Sequence, residues 1–148
     1  MGKLVGIARR DTTRAPMETL DHADVSVTSG VVSDFRGASK KRAVTVLAAD
    51  VWTDVCAELG ATIPWTTRRS NFLVEGIDLP RRAGDIITVG DVRLQVTQEV
   101  DPCFRMDEQW PGLKAALTPE WRGGVGCVVL QGGSVAVGDP VAVIVSDT

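Results

Sequence analysis

Ile86-Ile87-Thr88-Val89-Gly90-Asp91-Val92-Arg93-Leu94-Gln95-Val96-Thr97 decides the reading of the fold. Two apolar, β-branched runs flank Gly90-Asp91, the two-residue turn signal of a β-hairpin. The same texture repeats on both sides. Leu4 to Ala8, Val25 and Val27 alternating with Ser26 and Thr28, Ala43 to Leu47, and Phe72 to Val74 precede the hairpin. Val125 to Leu130, Ser134 to Val137 and Val141 to Val145 follow it, joined by Gly132-Gly133 and Gly138-Asp139-Pro140. So many strand-sized runs separated by glycine turns predict a mainly β barrel or sandwich rather than a doubly wound sheet.

One helix interrupts the pattern. Between Ala48 and Leu59, Val51, Trp52, Val55, Cys56 and Leu59 fall at helical spacing, and Gly60 occupies the place of a C-terminal cap. A shorter helix is expected from Pro111 to Leu117, with proline at its start and Pro119 just past its end. No linker, low-complexity tract or strong repeat divides the chain, so residues 1–148 read as one domain.

Composition narrows the chemistry. The 148 residues are 44% hydrophobic and 24% charged, an ordinary globular balance. A chain this long buries roughly 70% of its unfolded surface and needs no staples to fold. It has a single histidine, His22, which excludes a two- or three-histidine metal centre within one chain. His22 follows Asp21 in a polar stretch and reads as a surface residue. Reactive chemistry is left to cysteine, carboxylates, arginine and backbone amides.

A net charge of −3 and a pI near 5.1 argue against nucleic acid or an anionic membrane as partner. MGKLVGIARRDTT has only a short apolar patch, and no apolar run approaches the ~20 residues of a membrane span. The expectation is a reduced, cytoplasmic protein.

The three cysteines differ in setting, and none forms a C-x-x-C pair. Cys56 lies on the apolar stripe of the helix, and Cys127 sits among the valines of VGCVVL. Both read as core. Cys103 follows Asp101-Pro102 directly after a strand, where proline denies the ladder an amide hydrogen and forces a turning backbone. A thiol there stands on a loop held by a rigid scaffold, and a nearby arginine such as Arg105 would favour its thiolate.

Basic residues gather at strand ends: Lys40-Lys41-Arg42, Arg68-Arg69 before Ser70-Asn71, Arg81-Arg82, and Arg122 before Gly123-Gly124. Such guanidinium groups suit capture of phosphate or carboxylate, and the alternative is a solvated rim. Convergence of Arg69, Arg122 and Cys103 at one end of a barrel would make a site. Asn71 would either offer its amide to a heterocycle or cap the strand. Asp34, between Gly30 and Arg36, is not explained by turn preference alone. Trp52 reads as core, while Trp110 and Trp121 bracket the short helix, either packed in core or lid or walling a pocket.

Read in order, these segments resemble a MOSC domain, the module named after the C-terminal region of molybdenum-cofactor sulfurases. The resemblance runs from about Leu4 to Val145. Its parts are the early turn Gly30-Val31-Val32-Ser33-Asp34, the basic-led strand Arg42-Ala43-Val44-Thr45-Val46-Leu47, and a helix behind it. Next come Arg69-Ser70-Asn71-Phe72-Leu73-Val74-Glu75-Gly76-Ile77-Asp78-Leu79, then Gly84-Asp85 and Ile87-Thr88-Val89-Gly90. A strand ending in Pro102-Cys103, then Arg122-Gly123, and finally Gly138-Asp139-Pro140-Val141 complete the set. Ser33 departs from the pattern, because the family turn usually has glycine there.

The resemblance implies a closed MOSC-type β-barrel, like the pyruvate-kinase barrel domain, with one or two short helices. It implies that Cys103 is the signature cysteine, which carries sulfur as a persulfide or ligates molybdenum of the pyranopterin (molybdopterin) cofactor. Arg69, Asn71, Arg122, Gly123 and Asp34 form the implied cofactor-binding set. Three functions remain open. The first is a carrier that exchanges sulfur or cofactor with a molybdoenzyme or a sulfur-donor protein. The second is a small molybdenum-dependent reductase of N-hydroxylated compounds, served by an electron-donor protein. The third is an inactive barrel used for protein interaction.

Overall fold

A computed structural model describes residues 2–12, 15–35, 37, 39 and 42–145. Lys40 and Lys41 of the basic run, and Arg36 beside Asp34, lie outside the described residues. The strands are β1 (Gly2–Arg9), β2 (Glu18–Leu20), β3 (His22–Ser26), β4 (Gly30–Val31), β5 (Val44–Ala48), β6 (Phe72–Glu75), β7 (Ile86–Val89), β8 (Val92–Glu99), β9 (Val125–Gln131), β10 (Gly133–Ala136) and β11 (Pro140–Ile144). The helices are α1 (Ala49–Leu59), α2 (Phe104–Gln109) and α3 (Leu113–Leu117).

Hydrogen bonding runs β11-β7-β8-β9-β5-β6-β1, and β1 pairs again with β11 through Gly2↔Val141 and Lys3↔Pro140. The ring is therefore closed, a seven-stranded barrel with β2 appended to β1. A small sheet, β10-β3-β4, stands beside it. The β7–β8 hairpin forms as expected, with Val89 opposite Val92 and Gly90 at φ 56°, in the left-handed region a primed turn requires. The barrel is mixed because β5 and β6 run parallel, and such a pair needs a crossover. α1 supplies it and ends at Gly60 in the left-handed conformation, φ 64°.

Strand periodicity divides the interior in two. Val44, Val46, Phe72 and Val74 point into the barrel, with Leu94, Val96 and Val125. Each side chain of this size contributes roughly 1.5–3 kcal/mol when fully buried. The alternate residues Leu47 and Leu73 point outward, where Trp52, Val55, Ile63, Met106, Leu113 and Leu117 form a second core under the helices. Every residue of β5 is buried as a result. The Trp52 indole N–H donates to the Ile63 carbonyl at 2.9 Å, so this aromatic is satisfied in the core.

The structure differs from the sequence reading at a few places. Among the described residues three α-helices form, against the one or two expected. The expected Pro111–Leu117 helix begins at Leu113, after Gly112 turns with φ 88°. α2 and the short strands β2 and β4 went unrecognised. Val27 lies in the turn after β3 and is exposed rather than facing the core. Cys127 is fully buried with Val125 and Val129 on one face of β9, and burial pushes its thiol up to about 12. His22 is exposed at the start of β3. No helix among the described residues is long and apolar enough to cross a membrane.

Candidate functional site

After β8, Asp101-Pro102 carries the chain to Cys103, whose backbone is extended (φ −116°, ψ 176°) and whose carbonyl accepts the Met106 amide at 2.9 Å. Met106 buries itself in the second core and anchors α2. Cys103 stands exposed just before that helix. It opens onto a cavity of about 570 Å³. Thr45 and Asn71, at outward-facing positions of β5 and just before β6, line it, so the cavity lies on the barrel's outer side and not in its packed lumen.

Charge distinguishes this cavity from the rest of the chain. Arg10, Arg42, Arg68, Arg69 and Arg105 line it against Asp34, Asp101 and Glu108. Five cations against three carboxylates leave an excess of two positive charges, in a protein whose net charge is −3. An anion is the ligand such a wall favours.

The two neighbouring arginines have separate tasks. Pro64 opens a 3-10 turn, Trp65–Arg68, and Arg69 ends it in the left-handed conformation at φ 61°. Arg68 is buried, 8% exposed. Its Nε donates to the Gly123 carbonyl at 3.1 Å, and its Nη2 donates to the Val100 carbonyl. Burial is the main reason its pKa falls to about 10, with the charge of Arg42 adding to the effect; Cys103, Asp101 and Glu99 oppose it. Arg69 is half-buried in the same wall. Among the described residues the guanidinium groups of Arg69 and Arg105 make no hydrogen bond or ion pair.

Asn71 is occupied by the backbone. Its Oδ1 accepts the Thr45 amide at 3.0 Å, and its Nδ2 donates to the Ala8 carbonyl at 3.1 Å. At 4% exposure it ties β1, β5 and β6 together at the cavity floor. Asp34 accepts the Arg10 amide at 3.1 Å, while the Arg10 guanidinium lies 5.8 Å from the centre of the Phe35 ring. Ser33 has φ 70°, the left-handed geometry that glycine adopts freely. The turn keeps a glycine's shape without the glycine. Glu99, just before the thiol loop, is pushed up by burial and by its hydrogen bond with Asp101.

Cys103, Arg69, Asn71 and Asp34 therefore meet at one cavity. Arg122 and Gly123 do not line it. Arg122 pairs with Glu58 at 2.7 Å, donates to the Ala116 carbonyl at 3.1 Å, and lines a separate groove beside Trp121. Gly123 acts from behind the cavity, because a Cβ there would sit 2.6 Å from Arg68 Nη2 and against the Val100 carbonyl. Sequence reasoning missed Arg68, Arg10, Arg42, Thr45 and Met17 as lining residues. The Arg68-Arg69 pair was the available signal, but only the backbone turn at Arg69 tells the two apart. Trp121 packs against the barrel core, and Trp110 is 40% exposed.

Comparison with known proteins follows the same outline. The MOSC domain profile matches residues 33–142. The YuaD protein from Bacillus subtilis has a similar structure, with a TM-score of 0.77 at 18% identity over 97% of this chain and 96% of that one. YiiM from Geobacillus stearothermophilus matches with a TM-score of 0.76 at 18% identity over 97% of this chain and 75% of that one. YiiM from Escherichia coli matches with a TM-score of 0.70 at 15% identity, over 97% and 70%. At these identities the likeness is one of fold. No curated protein matches the sequence.

Proposed function

The chain belongs to the MOSC domain family, and on that premise we propose that it carries sulfur on Cys103 or binds the molybdenum cofactor beside it. The observation that supports this reading is the exposed Cys103 thiol at the edge of an arginine-rich cavity. A cavity of about 570 Å³ falls in the range of small-molecule and cofactor sites. The residues present fit the cofactor's chemistry. Guanidinium groups match a phosphate, and a thiolate is the soft donor that a thiophilic metal takes.

Among the described residues no three His, Cys, Asp or Glu side chains cluster as a metal site; in this reading Cys103 is the soft donor. Arg69 and Arg105 would hold the anionic portion, with Arg10 and Arg42 reinforcing the field. Arg68 and Asn71 would keep the wall in place. Bound there, the cofactor would supply a redox-active metal. A molybdoenzyme or a sulfur-donor protein is the partner this reading requires.

The test is production of the protein in a host that makes the cofactor, followed by molybdenum and pterin analysis and mass spectrometry of Cys103. Bound cofactor, or a persulfide on Cys103, is expected. Cys103→Ser should abolish it while circular dichroism stays unchanged. Protein that carries neither after such expression overturns the reading. Reduction of a hydroxylamine substrate with a supplied electron donor would identify the reductase form of the same site.

A further inference from the structure

Among the described arginines with a defined environment, most are already engaged. Arg9 donates to the Val32 carbonyl, Arg68 to two carbonyls, Arg82 to Asp85, and Arg122 to Glu58 and the Ala116 carbonyl. Arg69 and Arg105 have no such partner, and both line the cavity onto which the Cys103 thiol opens. A nucleophilic sulfur beside two uncommitted guanidinium groups fits one kind of substrate closely: a small oxyanion that carries a transferable sulfur atom.

We propose that the site takes sulfur directly from thiosulfate-type donors, with Arg69 as the main oxyanion receptor and Arg105 assisting. The inference rests on the reading of Cys103 as a sulfur-accepting thiol and adds the donor. The transfer balances without an outside oxidant. The Cys103 thiolate attacks the outer, sulfane sulfur of thiosulfate and forms a new S–S bond. The original S–S bond breaks, and its electron pair leaves with the sulfite. Thiolate plus thiosulfate dianion gives persulfide anion plus sulfite dianion, so total charge is conserved.

Negative charge accumulates on the departing sulfite. A guanidinium held at that point by the scaffold stabilises the leaving group as it forms, and its fork matches a trigonal oxyanion. Arg69 is the better placed of the pair, because its half-buried position and left-handed backbone fix it to the wall, whereas Arg105 is exposed. Cyanide would discharge the persulfide, giving thiocyanate and restoring the thiolate.

The experiment incubates the purified full chain with thiosulfate, with inorganic polysulfide as a parallel donor. Sulfite release, gain of one sulfur atom on Cys103 and thiocyanate on adding cyanide are the readouts. All three are expected with thiosulfate and none in Cys103→Ser. Arg69→Ala should raise the thiosulfate concentration for half-maximal charging by about tenfold or more, the worth of a lost charged hydrogen bond, and change charging by polysulfide, which has no oxyanion to release, by a smaller factor. Charging by polysulfide but not by thiosulfate overturns this inference and leaves the carrier reading standing. Failure with both donors removes the sulfur-carrier reading as well. An Arg69→Ala variant with unaltered thiosulfate dependence overturns the role of Arg69.

Discussion

Arg68 donates from Nε to the carbonyl of Gly123 at 3.1 Å, across 55 positions of sequence. Through Nη2 the same side chain holds the Val100 carbonyl, three residues before Cys103. One buried cation thus fastens the end of β8 to the approach to β9, and the thiol loop starts from that fastening. Arg68→Met leaves both carbonyls without their donor. A loss of about 2–4 kcal/mol is expected, read by urea unfolding. Arg68→Lys should recover less than half, because an ammonium cannot reproduce the guanidinium fork.

Ser33 bears a left-handed backbone at φ 70°. A residue with a Cβ costs about 1 kcal/mol there relative to glycine. Ser33→Gly should therefore stabilise the protein by about 0.5–1 kcal/mol, less the added backbone entropy of the unfolded chain. Thermal unfolding checks the sign.

Burial at Cys127 makes stability depend on alkaline pH. Its thiol rises from 9.0 to about 12 in the fold, so above pH 9 the unfolded chain loses this proton and the folded chain keeps it. Stability present below pH 9 is lost as pH climbs towards 12, by on the order of 1 kcal/mol at pH 10. Arg68 works in the opposite direction, because its fold-lowered pKa of about 10 makes folding gain above that pH. The clean window is pH 9–10. There, Cys127→Ala should show a shallower decline than the wild type by denaturant titration, after costing on the order of 1 kcal/mol at neutral pH.

The Arg122–Glu58 pair is close, 2.7 Å, but the Glu58 side chain is 50% exposed. Surface pairs of this kind contribute about 1 kcal/mol or less. Arg122→Gln is expected to shift stability by no more than that and to leave the sulfur or cofactor content of Cys103 unchanged. A large drop in that content would place Arg122 in the site after all.

The barrel was legible because its strands are short and β-branched, with turns marked by glycine. The pattern around Gly90-Asp91 already fixes pairing and register. α2 was not legible. Of its six residues only Met106 is buried, too few for a periodic stripe. Cys103 could be picked out from Pro102 and the end of a strand, since both act locally on the backbone. Arg122 could not be placed by such means. It shares a glycine-rich setting with the other strand-end arginines, yet Glu58, far off in sequence, determines where it lies. Asn71 shows a third case. Its amide suits a heterocycle or a backbone equally, and only the approach of Thr45 and Ala8 assigns it to the latter.

Closure of the ring rests on β1 meeting β11 at two register pairs, Gly2↔Val141 and Lys3↔Pro140. β1, made before β11, thus waits for it. Until residue 141 emerges, β2 covers only the Ile7–Arg9 end of that edge of β1 and the Gly2–Lys3 end lacks its partner, the kind of edge on which nascent chains misassociate. Ring closure thus waits for β11, and a nascent chain halted before that strand would expose the edge to its neighbours.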